Sequence, residues 1–281
     1  MRFAAISDLH FGRAAPYRGV DRKLTGRAPA LTAAFVDDMN QRVRPDFVMV
    51  LGDVIEDESP WADLDNFTRA ADILSRLDMP VRYVFGNHDL VHLTHDQLLT
   101  VSGETAFNSS FDVDGWHLVR LHSTASITPS GRSGTENGLR GDIAPEDLEW
   151  LDQDLAAAGG PALVFTHFAP GDLNLAGQFW FGHAPDKAML ANRAEVRDVL
   201  ESHDVVMAMN GHVHWNDHTI HNGISYITIQ SLVENTADDG EPAGAWALVE
   251  AEATHLEVIV SGRDPACYRV PRPRGRAGRR N

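Results

Sequence analysis

The segment FVMVLGD, residues 47–53, is five apolar residues, β-branched in part, followed at once by glycine and aspartate. A run this short and this continuously apolar reads as a strand covered on both faces. Four other segments share the pattern: FAAIS (3–7), VRYVFGN (81–87), ALVFTH (162–167) and VVMAMNGH (205–212). Amphipathic stretches separate them. PALTAAFVDDMNQRV (29–43), LDNFTRAADILSRL (64–77), APEDLEWLDQDLAAAGG (144–160) and DKAMLANRAEVRDVLESH (186–203) all read as helices. In the second, Leu64, Phe67, Ala71, Leu74 and Leu77 fall on one face. The third has Pro145 at its first position and glycines at its end. Strand–helix alternation predicts an α/β fold with a largely parallel first sheet.

The other strands differ. SSFDVDGWHLVRLHS (109–123) carries an Asp-Gly turn between alternating residues and predicts a hairpin. ISYITIQSL (224–232), AWALVEA (245–251) and HLEVIVSG (255–262) follow with no helices between them, which suggests a second sheet packed on the first. One domain is expected over residues 1–268. The basic, Pro- and Gly-rich end, 269–281, is expected to be a flexible tail, with contact to RNA, anionic lipid or a partner as the alternative.

The bulk numbers are those of a globular protein: 281 residues, 43% apolar and 23% charged. No apolar run approaches the ~20 residues needed to span a bilayer. The first residues lack the apolar core and cleavage site of a secretory signal, so a cytoplasmic protein is expected. The formal net charge of −16 argues against a nucleic-acid partner. A homo-oligomer is left open. The single cysteine, Cys267, excludes an internal disulfide framework and a Cys-rich zinc site, so any metal would be held by His, Asp, Glu or Asn.

Every buried strand ends in such residues. The ends are SDLH with Asp8 and His10, GD with Asp53, GNHD with Asn87, His88 and Asp89, TH with His167, and GHVH with His212 and His214. Taken singly, each is also a turn or solvated loop. Together, each just past an apolar strand, they converge on the carboxyl-end rim where α/β folds bind ligands. Carboxylates mixed with imidazoles suit Mn, Fe or Zn. A carboxylate shared by two ions is a recurring way to hold a dinuclear centre, which lowers the pKa of a bound water. Glycines 52, 86 and 211 let the backbone turn and approach closely.

In this order, the motifs DLH, GDV, GNHD, THF and GHVH resemble those of the calcineurin-like metallophosphoesterase superfamily, over Asp8 to His214. The resemblance implies a four-layer α/β/β/α sandwich of two packed mixed sheets flanked by helices. It also implies two metal ions, one on Asp8, His10 and His214, the other on Asn87, His167 and His212, with Asp53 and a hydroxide bridging them. His88 would contact the phosphate and protonate the leaving oxygen, and Asp89 would fix a histidine's tautomer. The expected activity is hydrolysis of a small-molecule phosphodiester by metal-bound hydroxide, closest to bacterial class III cyclic-nucleotide and glycerophosphodiester phosphodiesterases. A phosphomonoesterase or nucleotidase on the same site and a non-catalytic scaffold are the alternatives. Where many relatives place a second histidine, this chain has Phe168, so its rim is more apolar.

Two long loops, 126–142 and 171–186, carry further candidates. Phe179, Trp180 and Phe181 could wall the site, pack on the sheet or meet a partner. Arg132 and Arg140 could reach a phosphate or stay solvated. Among the histidines without motif context, His218 and His221 stand closest to the GHVH turn.

Overall fold

The computed structural model describes residues 1–14, 16–126, 140–252 and 254–272. The strands are β1 (Arg2–Ile6), β2 (Phe47–Leu51), β3 (Val81–Val84), β4 (Ser109–Val113), β5 (Trp116–Arg120), β6 (Thr124–Ser126), β7 (Arg140–Asp142), β8 (Ala162–Phe165), β9 (Val205–Asn210), β10 (Asp217–His221), β11 (Ile224–Thr228), β12 (Trp246–Ala251), β13 (His255–Ser261) and β14 (Ala266–Pro271). The helices are α1 (Ala28–Asp38), α2 (Pro60–Leu74), α3 (His95–Ser102), α4 (Pro145–Ala157) and α5 (Arg193–Ser202).

Two six-stranded mixed sheets result, ordered β14-β13-β12-β1-β2-β3 and β10-β11-β9-β8-β5-β4. Within the first, β1, β2 and β3 are parallel. Within the second, β5, β8, β9 and β11 are parallel. Side-chain alternation then builds three apolar layers. Phe3, Met49, Phe165 and Met209 point between the sheets. Ile6 and Val50 point outward onto Phe35 of α1 and Phe67 of α2. Val164 and Ala208 point outward onto Leu155 of α4 and Val196 of α5. Because both faces of β2 and β8 are covered, their sequences are continuously apolar. The four-layer sandwich is therefore the observed fold.

Several details differ from expectation. The five convergent strands do not share one sheet: β1–β3 lie in one and β8–β9 in the other. The late strands are likewise divided, with β11 beside β9 and with β12 and β13 beside β1. An apolar run codes for burial on two faces and leaves the partner strand open, so sheet membership is not written in it. Helix α5 starts at Arg193 because Pro185–Lys187 forms a separate 3-10 turn. On α2 the buried small residue is Ala70, while Ala71 is half-buried. Helix α3 escaped notice, although Thr94 and Gln97 form a reciprocal cap at its start. The last strand runs to Pro271, past the boundary placed at 268. The remaining tail and Arg132 lie outside the described residues. The hairpin forms as expected, with Asp114 and Gly115 both at positive φ (50° and 78°) in its two-residue turn.

Candidate metal centre

All seven candidate ligands sit just beyond the carboxyl ends of β1, β2, β3, β8 and β9, where the two sheets meet. Asp8, His10, Asp53, His212 and His214 all adopt left-handed backbone conformations, with φ of 53°, 47°, 49°, 73° and 70°. Such residues cost free energy and cluster at functional sites. Close packing enforces the arrangement. Gly52 has φ +94°, and a Cβ there would lie 2.6 Å from His167 Nδ1. A Cβ on Gly211 would lie 1.8 Å from Ser7 Oγ and 2.6 Å from Asp8 Oδ2, so only glycine lets the end of β9 approach the end of β1. The two sheets are tied there directly, since the His212 amide donates to Asp8 Oδ2 at 3.1 Å.

The donors form two sets. In the first, His10 Nε2 and His214 Nε2 are 3.0 Å apart, and Asp8 Oδ1 is 4.0 Å from the former and 3.5 Å from the latter. His214 Nδ1 donates to Glu234 Oε2 at 2.7 Å, and His10 Nδ1 lies 3.0 Å from Glu56 Oε2. In the second, His167 Nε2 is 3.2 Å from each of Asn87 Oδ1, His212 Nδ1 and Asp53 Oδ2. Here His167 Nδ1 donates to the Leu51 carbonyl at 2.8 Å and His212 Nε2 to the Lys187 carbonyl at 2.9 Å.

In each of these histidines one ring nitrogen faces an outer acceptor, and the other turns inward toward other ring nitrogens and carboxylate oxygens. Facing lone pairs about 3 Å apart repel unless something positive lies between them. Ligand–metal bonds of about 2.0–2.2 Å put neighbouring donors about 3–3.5 Å apart, so both sets fit a cation. Protonation reports the same field. Burial disfavours the charged form of His167, yet the Asp53 carboxylate overrides it and lifts the pKa to about 9. Burial likewise opposes a charged His214, and Asp8 and Glu234 lift it to about 9. His10 and His212, pulled down by burial to about 4 and about 3, stay neutral. Burial pushes Asp8 up, but the His214 bond and charge bring it to about 2.

His88 stands beside both sets. Its Nδ1 bonds Asp57, and its Nε2 lies 4.0 Å from Asp53 Oδ2. Burial opposes its cation, but the charges of Glu56 and Asp53 hold its pKa above the ordinary value. Among the described residues Asp89 hydrogen-bonds no histidine, where the resemblance implies one. It accepts from the amides of Gly86 at 2.8 Å, Val54 at 2.9 Å and Ile55 at 3.2 Å, tying the loop after β2 to the loop after β3. A carboxylate directly after His88 in a 3-10 turn is aimed back at its own turn, which sequence adjacency conceals. His218 bonds Ser225 and His221 bonds Glu201 on the edge strand β10, away from the centre. Phe168 packs behind His212, ring centroids 4.0 Å apart.

Sequence reading missed Glu56, Glu234, Arg22 and Lys23. Glu56 follows Asp53 by three residues in an acidic run, a faint signal; Glu234 is far from any motif and offered none. A cleft of about 500 Å³ opens over both sets, walled by Tyr17, Lys23, Trp180, Phe181 and His183. Trp180 and Phe181 of the 179–181 segment therefore line the cleft, as the wall reading has it.

The chain is similar to known proteins. The family model described as calcineurin-like phosphoesterase matches residues 1–216. A probable cyclic nucleotide phosphodiesterase of a Synechococcus species is 29% identical over 219 residues, 76% of this chain and 73% of the relative. A manganese-dependent ADP-ribose/CDP-alcohol diphosphatase of Oryza sativa subsp. japonica is 22% identical, with 93% of this chain and 91% of the relative covered. The crystal structure of a dimetal phosphatase from Danio rerio superposes with a TM-score of 0.79 at 17% identity, over 96% of this chain and 98% of that one. With its paired donor sets at the seam of a two-sheet sandwich, this chain belongs to the calcineurin-like phosphoesterase family and is a metal-dependent phosphoric ester hydrolase.

Proposed function

We propose that the chain hydrolyses a small-molecule phosphodiester of the cyclic-nucleotide or glycerophosphodiester type. Asp8, His10 and His214 are read as the ligands of one ion, and Asn87, His167 and His212 as those of the other. Asp53 is read as the ligand shared by both ions; its Oδ2 lies 3.2 Å from His167 Nε2, and its Oδ1 accepts the His88 amide at 2.9 Å. The observation that carries the reading is the inward convergence of imidazole nitrogens and carboxylate oxygens in two adjacent sets. Manganese, iron and zinc all suit such donors. Two bound cations supply a water of lowered pKa and neutralise charge on the phosphate.

The chain's own residues supply the rest. His88 keeps Nδ1 on Asp57, and its raised pKa favours a proton on Nε2, the nitrogen that faces Asp53. That proton is placed for the leaving oxygen. Phe181 lies tilted against His212 and Trp180 edge-on to His214, ring centroids 4.9 and 5.3 Å apart, and they cover one side of the centre. The cleft volume suits a small ester better than a duplex, as does the acidic chain. The names of the Synechococcus and Oryza relatives both point to nucleotide-type substrates with a phosphorus bridging two groups.

The test is a substrate panel on metal-reconstituted protein: cyclic AMP, a glycerophosphodiester, bis(p-nitrophenyl) phosphate and p-nitrophenyl phosphate. Diesters are expected to be turned over in preference to the monoester. His88→Ala on the same panel should retain its ions and turn over ~10²–10⁴-fold more slowly. Preference for the monoester would instead make the chain a phosphomonoesterase; inertness toward all four with ions bound would make it a scaffold.

A further inference from the structure

The two histidines of the first set are backed differently from those of the second. His167 and His212 lean on backbone carbonyls, whereas His10 and His214 each face a glutamate. Each glutamate in turn is held by one of two consecutive cations. Lys23 Nζ lies 2.6 and 2.5 Å from the two oxygens of Glu56, and Arg22 Nε donates to Glu234 Oε1 at 2.7 Å. Trp180 joins the two halves: its Nε1 donates to Glu234 Oε2 at 3.1 Å, and its ring lies 5.6 Å beneath Lys23 Nζ. The backbone fixes the register, since Leu24 N donates to the Val233 carbonyl at 3.0 Å and Asn235 N to the Arg22 carbonyl at 2.7 Å. Both glutamates are buried, at 6% and 1% exposure.

A buried carboxylate without a counter-charge is costly and tends to take up a proton or turn away. Lys23 and Arg22 fix where the glutamate oxygens point, so both glutamates face their histidines from set positions. A carboxylate fixed behind Nδ1 orients each ring so that Nε2 faces the first set. Two anions matched by two cations also leave Asp8 as the net negative charge of that set.

We propose that Arg22, Lys23 and Trp180 are positioning residues that aim His10 and His214 through Glu234 and Glu56 and so set the affinity of the first metal position, without touching the second. This rests on the ligand sets read above. The test is calorimetric titration of Mn²⁺ into the chelator-stripped full chain, without reference to turnover. Wild type should show two binding events. Lys23→Met should weaken one of them about 10–100-fold and spare the other. Trp180→Phe keeps a ring and removes one N–H, and should weaken the same event by about 2–10-fold. Asn87→Ala marks the second position and should weaken the event that the other two variants spare. If Lys23→Met and Trp180→Phe leave both events unchanged, or lower both alike, the clamp is refuted while the ligand sets stand. If wild type takes up no Mn²⁺, the ligand sets themselves fall.

Discussion

At the scale of single residues, the four histidines of the candidate centre divide by protonation. In the ion-free fold His167 and His214 are lifted to about 9, while His10 and His212 lie near 4 and 3. At neutral pH the first pair is therefore protonated and the second is not. The sign of the linkage follows. A histidine raised above its unfolded value of about 6.5 stabilises the fold fully below that pH, and the contribution is lost as pH rises through the folded value. Metal-free protein should accordingly lose stability between about pH 6.5 and 9 from these two groups. Since a ligating imidazole must be neutral, ion uptake at pH 7 must expel both protons. Calorimetry in buffers of different ionisation enthalpy should show net proton release on Mn²⁺ binding; a heat independent of buffer would contradict the assignment of His167 and His214. Acid reverses the exchange, so activity should fall below about pH 6.

At the scale of elements, the junction of β1 and β9 matters most. The ends of these strands belong to different sheets, yet Gly211 brings them into contact and the His212 amide reaches Asp8. A methyl on Gly211 would sit 1.8 Å from Ser7 Oγ. Overpacking of this kind typically costs about 1–3 kcal/mol. Gly211→Ala should lower stability by that amount in chemical denaturation and weaken both ions, because it spreads the two sets apart. Unchanged stability and metal content would mean that the junction yields without consequence. Legibility also varies with the element. Strands β2, β8 and β9 were plain in sequence because burial on two faces leaves almost no polar residue to blur them. Helix α5 was overread at its start because the 3-10 turn Pro185–Lys187 and the segment after it carry the same mixed polarity as the helix.

At the scale of the whole molecule, the inter-sheet layer is the frame on which the two donor sets keep their spacing. Phe165 is fully buried in that layer, edge-on to Phe3 at 5.5 Å, and lies two residues before His167. Burying a phenylalanine is worth about 1.5–3 kcal/mol, and emptying its place costs more because a cavity remains. Phe165→Ala should therefore destabilise the protein by about 3–5 kcal/mol and reduce metal affinity as well. A loss under about 1 kcal/mol, measured by urea unfolding, would show that the layer repacks and does not hold the centre in register. Among the described residues no helix is long and apolar enough to cross a membrane.

What the amino-acid order determined by itself was local: which runs are buried strands, and that Asp8, His10, Asp53, Asn87, His167, His212 and His214 each stand just past one. Period, burial and glycine placement are short-range properties, so they can be read along a chain. Which strands share a sheet, which glutamate stands behind which histidine, and where Asp89 points were decided only by tertiary structure. Glu234 and His214 are 20 residues apart and His10 and Glu56 46, with no periodic relation, yet they meet. Packing two sheets face to face creates contacts whose partners no local pattern encodes, and the electrostatics of the metal centre are made of those contacts.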